Sequence, residues 1–251
     1  QRGAELGTLN ILPHGAVLID GEHILAVGEP AELLLAHPEA DLLDAGGKAV
    51  LPGLVDPHTH LVWAGDRVDE FEMRLQGKTY MEIMAAGGGI AATLQATRSA
   101  SFEELLAQSR ERARTAFAHG TTTLEAKTGY GLDIETELRQ LEVILKLDEE
   151  GPLELIPTYL GAHAIPPEFA GNAEGYTDFL CSEALPAVQA WWQEHAPART
   201  LPFVDVFCEE GTFDLAQTRR ILLRAQELGF PLKLHADEFA NLGGASLAAE
   251  L

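Results

Sequence analysis

An α/β fold, a parallel sheet covered by helices and preceded by a small β portion, is what this sequence predicts, on three observations. From residue 54 onward, short strand-like runs alternate with helical stretches. The connections between them are short, as in repeated βα units. The first fifty residues lack that alternation and carry two short apolar runs around Asp20-Gly21, a hairpin signal.

Taken in order, residues 16–28 read as the hairpin, and Lys48-Ala49-Val50-Leu51-Pro52 leads into a first parallel strand at 53–56. Further strands are expected at 121–126, 153–159, 203–207 and 232–235. Ser101-Phe102-Glu103-Glu104 is a capping box that opens a helix running to about His119, with Gly120 as its stop. A second helix, 134–150, ends at Gly151-Pro152; a third, 176–194, is bent at Pro186; a fourth, 215–228, is closed by Gly229; a last one lies within 243–251. A (β/α)₈ barrel takes about 250 residues for eight units. Here fifty residues are used by the β portion and five strands follow, so the sequence reads as about five of eight barrel units, with an open sheet as the alternative. Residues 1–50 are assigned to part of a small β-sandwich domain and 51–251 to the first part of the barrel. The chain is expected to be shortened at both ends.

Charge narrows the partners. Asp and Glu number 39 against 17 Lys and Arg, a net charge of −22. Such a surface repels phosphate backbones, so no nucleic acid is expected, and no apolar run approaches the ~20 residues of a membrane span. An anionic small molecule needs a local cation inside a pocket. A cytoplasmic location is expected. Cys181 and Cys208 are too few for a disulfide framework and read as core residues.

The chemistry-bearing residues fall at expected strand ends. In Asp56-Pro57-His58-Thr59-His60, positions i and i+2 of an extended segment face one side, so His58 and His60 can converge on a metal ion. Polar loop residues are the plainer alternative. His235, in Leu234-His235-Ala236-Asp237-Glu238, ends the last strand and supplies a third imidazole, with Glu238 placed to act as general base on water. His163, in Gly161-Ala162-His163, faces the same rim and is assigned to polarising a substrate carbonyl. Arg67 offers a cationic fork for a carboxylate, and Tyr130 lies in the Gly-bracketed loop Gly129-Tyr130-Gly131; read by spacing alone, surface roles for these two stand equal. His14, His23, His37, His119 and His195 are assigned to surface or capping positions. One ring of Trp191-Trp192 is expected to pack inward, and Gly87-Gly88-Gly89 to form a flexible loop.

Leu51-Pro52-Gly53-Leu54-Val55-Asp56-Pro57-His58-Thr59-His60 resembles the opening signature of the metal-dependent amidohydrolase superfamily. Within it, Gln76-Gly77-Lys78-Thr79-Tyr80 with Gly87-Gly88-Gly89-Ile90, Lys127-Thr128-Gly129-Tyr130-Gly131-Leu132, Gly161-Ala162-His163-Ala164-Ile165-Pro166-Pro167 and His235-Ala236-Asp237-Glu238 resemble the imidazolonepropionase family. The resemblance implies a (β/α)₈ TIM barrel with a small β-sandwich. It also implies hydrolysis of the cyclic amide C–N bond of 4-imidazolone-5-propanoate to N-formimidoyl-L-glutamate in histidine degradation. On that pattern His58, His60 and His235 hold one Zn or Fe ion, whose bound water is the nucleophile. Glu238 activates the water and contacts substrate, and His163 hydrogen-bonds the ring carbonyl. Arg67 and Tyr130 hold the substrate, Arg67 through its propanoate. The family's further metal-site aspartate and a histidine have no counterpart in this sequence, and a homodimer would suit the family. A related deaminase or cyclic-amide hydrolase is the alternative within enzymes. A non-catalytic metal-binding fragment that needs a C-terminal partner chain is the alternative outside them. An isolated chain of this length is expected to be inactive or poorly soluble.

Overall fold

The computed structural model describes residues 3–79, 82 and 88–251, and it divides into two compact units, Gln1–Pro52 and Gly53–Leu251. In the first unit β1 (Ala16–Asp20) and β2 (His23–Gly28) pair antiparallel, with Asp20 opposite His23. The turn is therefore Gly21-Glu22, and Gly21 takes φ 57°, the left-handed conformation that favours glycine. Helix α1 (Pro30–Ala36) starts on a proline, whose missing N–H needs no partner there, and packs back on the hairpin. None of the described residues of this unit is buried, and Ile19, Ile24 and Val27 lie exposed. Two strands make one layer, which is marginal by itself.

The second unit is a five-stranded parallel sheet: β3 (Leu54–Asp56), β4 (Thr121–Lys127), β5 (Glu154–Ala162), β6 (Phe203–Cys208) and β7 (His235–Ala236). Spatial order equals chain order, without the reversal that marks an open doubly wound sheet. Together with the intervening helices this is the connectivity of a partial (β/α) barrel of α/β type. Gly53 precedes β3 because a Cβ there would come within 2.0 Å of Thr122 Oγ1 on the neighbouring strand.

The helices follow local signals. In α4 (Phe102–Ala118), Ser101 accepts from Glu104 N while Glu104 Oε2 accepts from Ser101 N, both halves of the expected box. Helix α5 (Ile134–Glu150) is capped by Asp133, and α8 (Leu215–Glu227) by a second box between Asp214 and Gln217. The expected helix at 176–194 begins earlier, as α6 (Ala173–Phe179), and runs through a π segment (Leu180–Ala184) into α7 (Leu185–His195). Pro186 has no N–H to offer that segment, and Arg224 Nε donates instead to the Cys181 carbonyl at 3.2 Å. Helix α9 (Gly244–Glu250) closes the described chain. Helices α2 (Val68–Leu75) and α3 (Ile90–Ser99) were not expected, and β7 is shorter than 232–235, Leu232 making only an isolated bridge to Val204.

Alternation along the strands sorts the core. Leu124, Ala126, Leu155, Tyr159, Val204 and Val206 join Leu141 and Ile144 of α5, Val188 and Trp192 of α7, and Ile221 and Ala225 of α8 in one buried apolar cluster. Trp192 is the inward ring of its pair, and Cys208 is buried whereas Cys181 is only half-buried. Glu125 and Lys127 of β4, Thr158 of β5 and Asp205 of β6 are equally buried but bond to one another as a polar layer. Among the described residues no helix is long and apolar enough to cross a membrane.

Candidate metal centre

The segment after β3 is fastened to β4 by two bonds. Lys127 N donates to the Thr59 carbonyl at 2.9 Å, and Thr59 Oγ1 donates to the Glu125 carbonyl at 2.6 Å. With Thr59 turned to the sheet, the flanking imidazoles of His58 and His60 come to 6.2 Å between ring centroids. His235 begins β7 on the far side, and its Nε2 stands 3.1 Å from Nε2 of His58. Ligand atoms of His58, His60 and His235 all lie within 4.8 Å of one another. Two nitrogens on a tetrahedral Zn, each at 2.0–2.1 Å, are about 3.3–3.4 Å apart. The His58–His235 pair, at 3.1 Å, is within a few tenths of an ångström of that separation, and His60 is set somewhat wider. Two Nε2 atoms at this distance need a proton or a cation between them. The donor set therefore fits a metal ion.

Hydrogen bonds choose the free nitrogen. Nδ1 of His60 faces the Thr128 carbonyl at 3.2 Å, and Nδ1 of His163 faces the Gly129 carbonyl at 2.8 Å. A carbonyl only accepts, so the proton sits on Nδ1 in both rings and Nε2 is left available. Burial, with the His163 and His235 rings next, draws His60 down to about 3. Burial also draws His163 to about 4, against the Gly129 carbonyl, and lowers His58, where His235 and Lys127 add to it. Neutral rings keep their lone pairs, as metal ligation requires.

The sequence-predicted residues do not all gather equally. His163 stacks on His60 with centroids 4.8 Å apart, and Tyr130 lies 5.1 Å from His60 and 5.3 Å from His163. Burial pushes the Tyr130 phenol up and the Arg67 guanidinium partly offsets it, which places Arg67 within electrostatic reach. Arg67 is half-exposed, donating to Thr93 Oγ1 at 3.1 Å and lying 3.7 Å from Glu70. Glu238 is exposed on the bend after β7. Tyr80 and Gly87 of the quoted motifs lie outside the described residues. His119 caps α4, His37 caps α1, and His195 ends α7, while His14 and His23 are exposed.

Several residues that shape the site escaped the sequence reading. Phe207 sits between the rings of His163 and His235, at 6.2 and 5.6 Å. Glu137, wholly buried on α5, accepts from the N–H groups of Gly129, Gly131 and Leu132 at 2.8–3.1 Å and so pins the Tyr130 loop. Burial raises its carboxyl despite those bonds. Gly129, at φ 105°, leaves no room for a Cβ, which would lie 2.9 Å from the Leu160 carbonyl and 3.0 Å from His163 Nδ1. Asp237 accepts from the N–H groups of Leu242, Gly243, Gly244 and Ala245, and Glu209 from Phe239 and Ala240, so two carboxylates fold the loop carrying Glu238. A carboxylate that folds a distant loop has no local signature in the sequence.

Five parallel strands in chain order, with imidazoles gathered at their carboxyl ends, make this an α/β protein with the architecture of a partial (β/α) barrel. A family model described as "Imidazolonepropionase-like composite domain, bacteria" matches residues 15–40. The whole chain is 50% identical to the imidazolonepropionase of Herpetosiphon aurantiacus over 250 residues, and 50% identical to that of Chloroflexus aggregans over 253. By sequence the chain is similar to imidazolonepropionases along its whole length. It spans 58% and 59% of the length of those two relatives. Among solved structures, N-isopropylammelide isopropylaminohydrolase from Burkholderia multivorans is 18% identical, with a TM-score of 0.39, over 93% of this chain and 68% of that one.

Proposed function

We propose that the protein to which this chain belongs hydrolyses the cyclic amide of 4-imidazolone-5-propanoate to N-formimidoyl-L-glutamate, a step of histidine degradation in the cytoplasm. The observation that carries the reading is the convergence of His58, His60 and His235, with His163 and Tyr130 beside them, in a chain half identical to imidazolonepropionases. His58, His60 and His235 hold one Zn or Fe ion; a His-rich centre suits either. When bound, the ion supplies Lewis acidity, bringing the pKa of a water near 7 and polarising the scissile amide. Glu238 takes the proton from the attacking water and contacts the substrate. Arg67 binds the propanoate, the local cation that a protein of net charge −22 needs for an anionic substrate. Tyr130 closes over the ring.

His163 has two roles that its hydrogen bonding separates. Neutral, with its proton on Nδ1, it accepts through Nε2 from a ring N–H of the substrate. Donation to the ring carbonyl requires a second proton on the imidazole, which burial opposes and the substrate's carboxylate favours. Residues 1–50 are assigned to a small β-sandwich domain and 51–251 to the first part of the barrel.

The test uses the full-length protein: metal content per chain, then imidazolone propanoate ring opening before and after chelation. Turnover that falls with chelation and returns with Zn or Fe is the expected result. One metal per chain with turnover of a neutral cyclic amide or an amino-substituted ring, and none of the propanoate, would replace this substrate with another.

A further inference from the structure

One buried group beneath the metal centre has no part in the roles assigned so far. Asp205, on β6, is 1% exposed, and its Oδ2 lies 3.0 Å from Nδ1 of His235 and 2.6 Å from Nζ of Lys127. Lys127 in turn lies 2.9 Å from Glu125 Oε1, which Thr158 and Lys233 also donate to. Two ammonium groups thus balance two carboxylates, the condition under which buried charge is tolerable.

The two ends of the His235 ring meet different partners. Nε2 looks toward His58 and the proposed metal, whereas Nδ1 is buried beside the Asp205 carboxylate. The ring meets Oδ2 off the ideal hydrogen-bond axis, so that Nδ1 has no well-aligned acceptor in this structure. A buried N–H without any acceptor costs ~1–3 kcal/mol, and Asp205 Oδ2, 3.0 Å away, is an acceptor within reach. Lys127 prevents the converse arrangement: it holds Oδ2 as an acceptor, so the shared proton belongs to the imidazole.

We propose that Asp205, held by Lys127, is a positioning residue that fixes His235 as the Nδ1–H tautomer and thereby offers Nε2 to the metal. The inference rests on the metal-centre reading of the preceding section. Carboxylates in this position orient ligating imidazoles and raise their basicity, and their loss typically weakens metal binding about 10- to 100-fold.

Two measurements on the full-length protein test it. The first is the ¹⁵N spectrum of the histidine rings in metal-free protein, with His235 assigned by its absence in His235→Gln. A protonated Nδ1 and bare Nε2 is the expected pattern, and the opposite tautomer in wild-type protein overturns the proposal whether or not any variant folds. The second is Zn affinity by chelator competition for wild type and Asp205→Asn, with circular dichroism to establish that the variant is folded. A 10- to 100-fold weaker affinity supports the role; a folded variant with wild-type affinity sinks it. Should wild-type protein take up no Zn while His235 shows the expected tautomer, the metal reading fails and this role falls with it. Zn uptake alongside the opposite tautomer removes Asp205 alone.

Discussion

At the mouth of the sheet four histidines crowd together, while one layer down Glu125, Lys127, Asp205 and Lys233 carry four charges that cancel. The lower layer is nearly complete in itself: each ammonium has a carboxylate. The mouth is not. Burial holds the rings of His58, His60 and His163 neutral, and the Nε2 atoms of His58 and His235 face each other at 3.1 Å. Paired charges make a scaffold; unpaired donors make a site. The contrast separates a layer of paired charges, which supports, from a layer of imidazoles above it, which is left free to take a ligand.

The largest expected effect breaks the lower layer. Lys127→Met strands Asp205 and weakens Glu125 inside the sheet, and removing one partner of a buried pair costs ~3–5 kcal/mol. Urea denaturation should show that loss; a value under about 1 kcal/mol would mean the layer is hydrated and the contrast false. Next in size is the response of the mouth to acid. His163 titrates near 4 when folded against 6.5 in the unfolded chain, so at pH 7 it contributes nothing, since both states are neutral. Between about pH 6.5 and 4 the unfolded state binds the proton and the folded state does not, and stability falls by on the order of 3 kcal/mol. Stability of the metal-free protein against pH should therefore slope downward in that window, and less steeply in His163→Phe.

How much of this contrast was visible beforehand differs between its halves. The mouth was legible, because His58, His60, His163 and His235 stand at strand ends and strand periodicity aims them at one side. The charged layer was not. Leu124-Glu125-Ala126-Lys127 and Val204-Asp205-Val206 alternate apolar and charged residues, which by itself is the pattern of a strand with one wet face. Only the neighbouring strands show that both faces are covered. In the helices the same division holds. The box at Ser101 and Glu104 and the stop at Gly151 are local signals and marked their ends, whereas α2 and α3, eight and ten residues long, have no side-chain cap to announce them.

Smaller effects sharpen the mouth. His60→Ala, which leaves the sheet contacts of Thr59 in place, should cost Zn affinity at least ~100-fold, more than loss of a supporting carboxylate, with the fold preserved by circular dichroism. Arg67→Ala should raise the KM for a propanoate-bearing substrate by roughly 10- to 100-fold, the worth of a charge-assisted hydrogen bond. Its neutral amide analogue should be almost unaffected, and equal losses for both would remove Arg67 from carboxylate binding.

Glu137 has a consequence for affinity that lies outside its hydrogen bonds. By gripping three backbone N–H groups of the Gly129–Leu132 turn from inside α5, it ties the Tyr130 loop to a rigid helix before any ligand arrives. A free loop would have to surrender its disorder at the moment of binding, which subtracts directly from affinity. Here that ordering is completed when the chain folds, so a ligand held at the proposed Tyr130 contact would lose none of its affinity to ordering this loop.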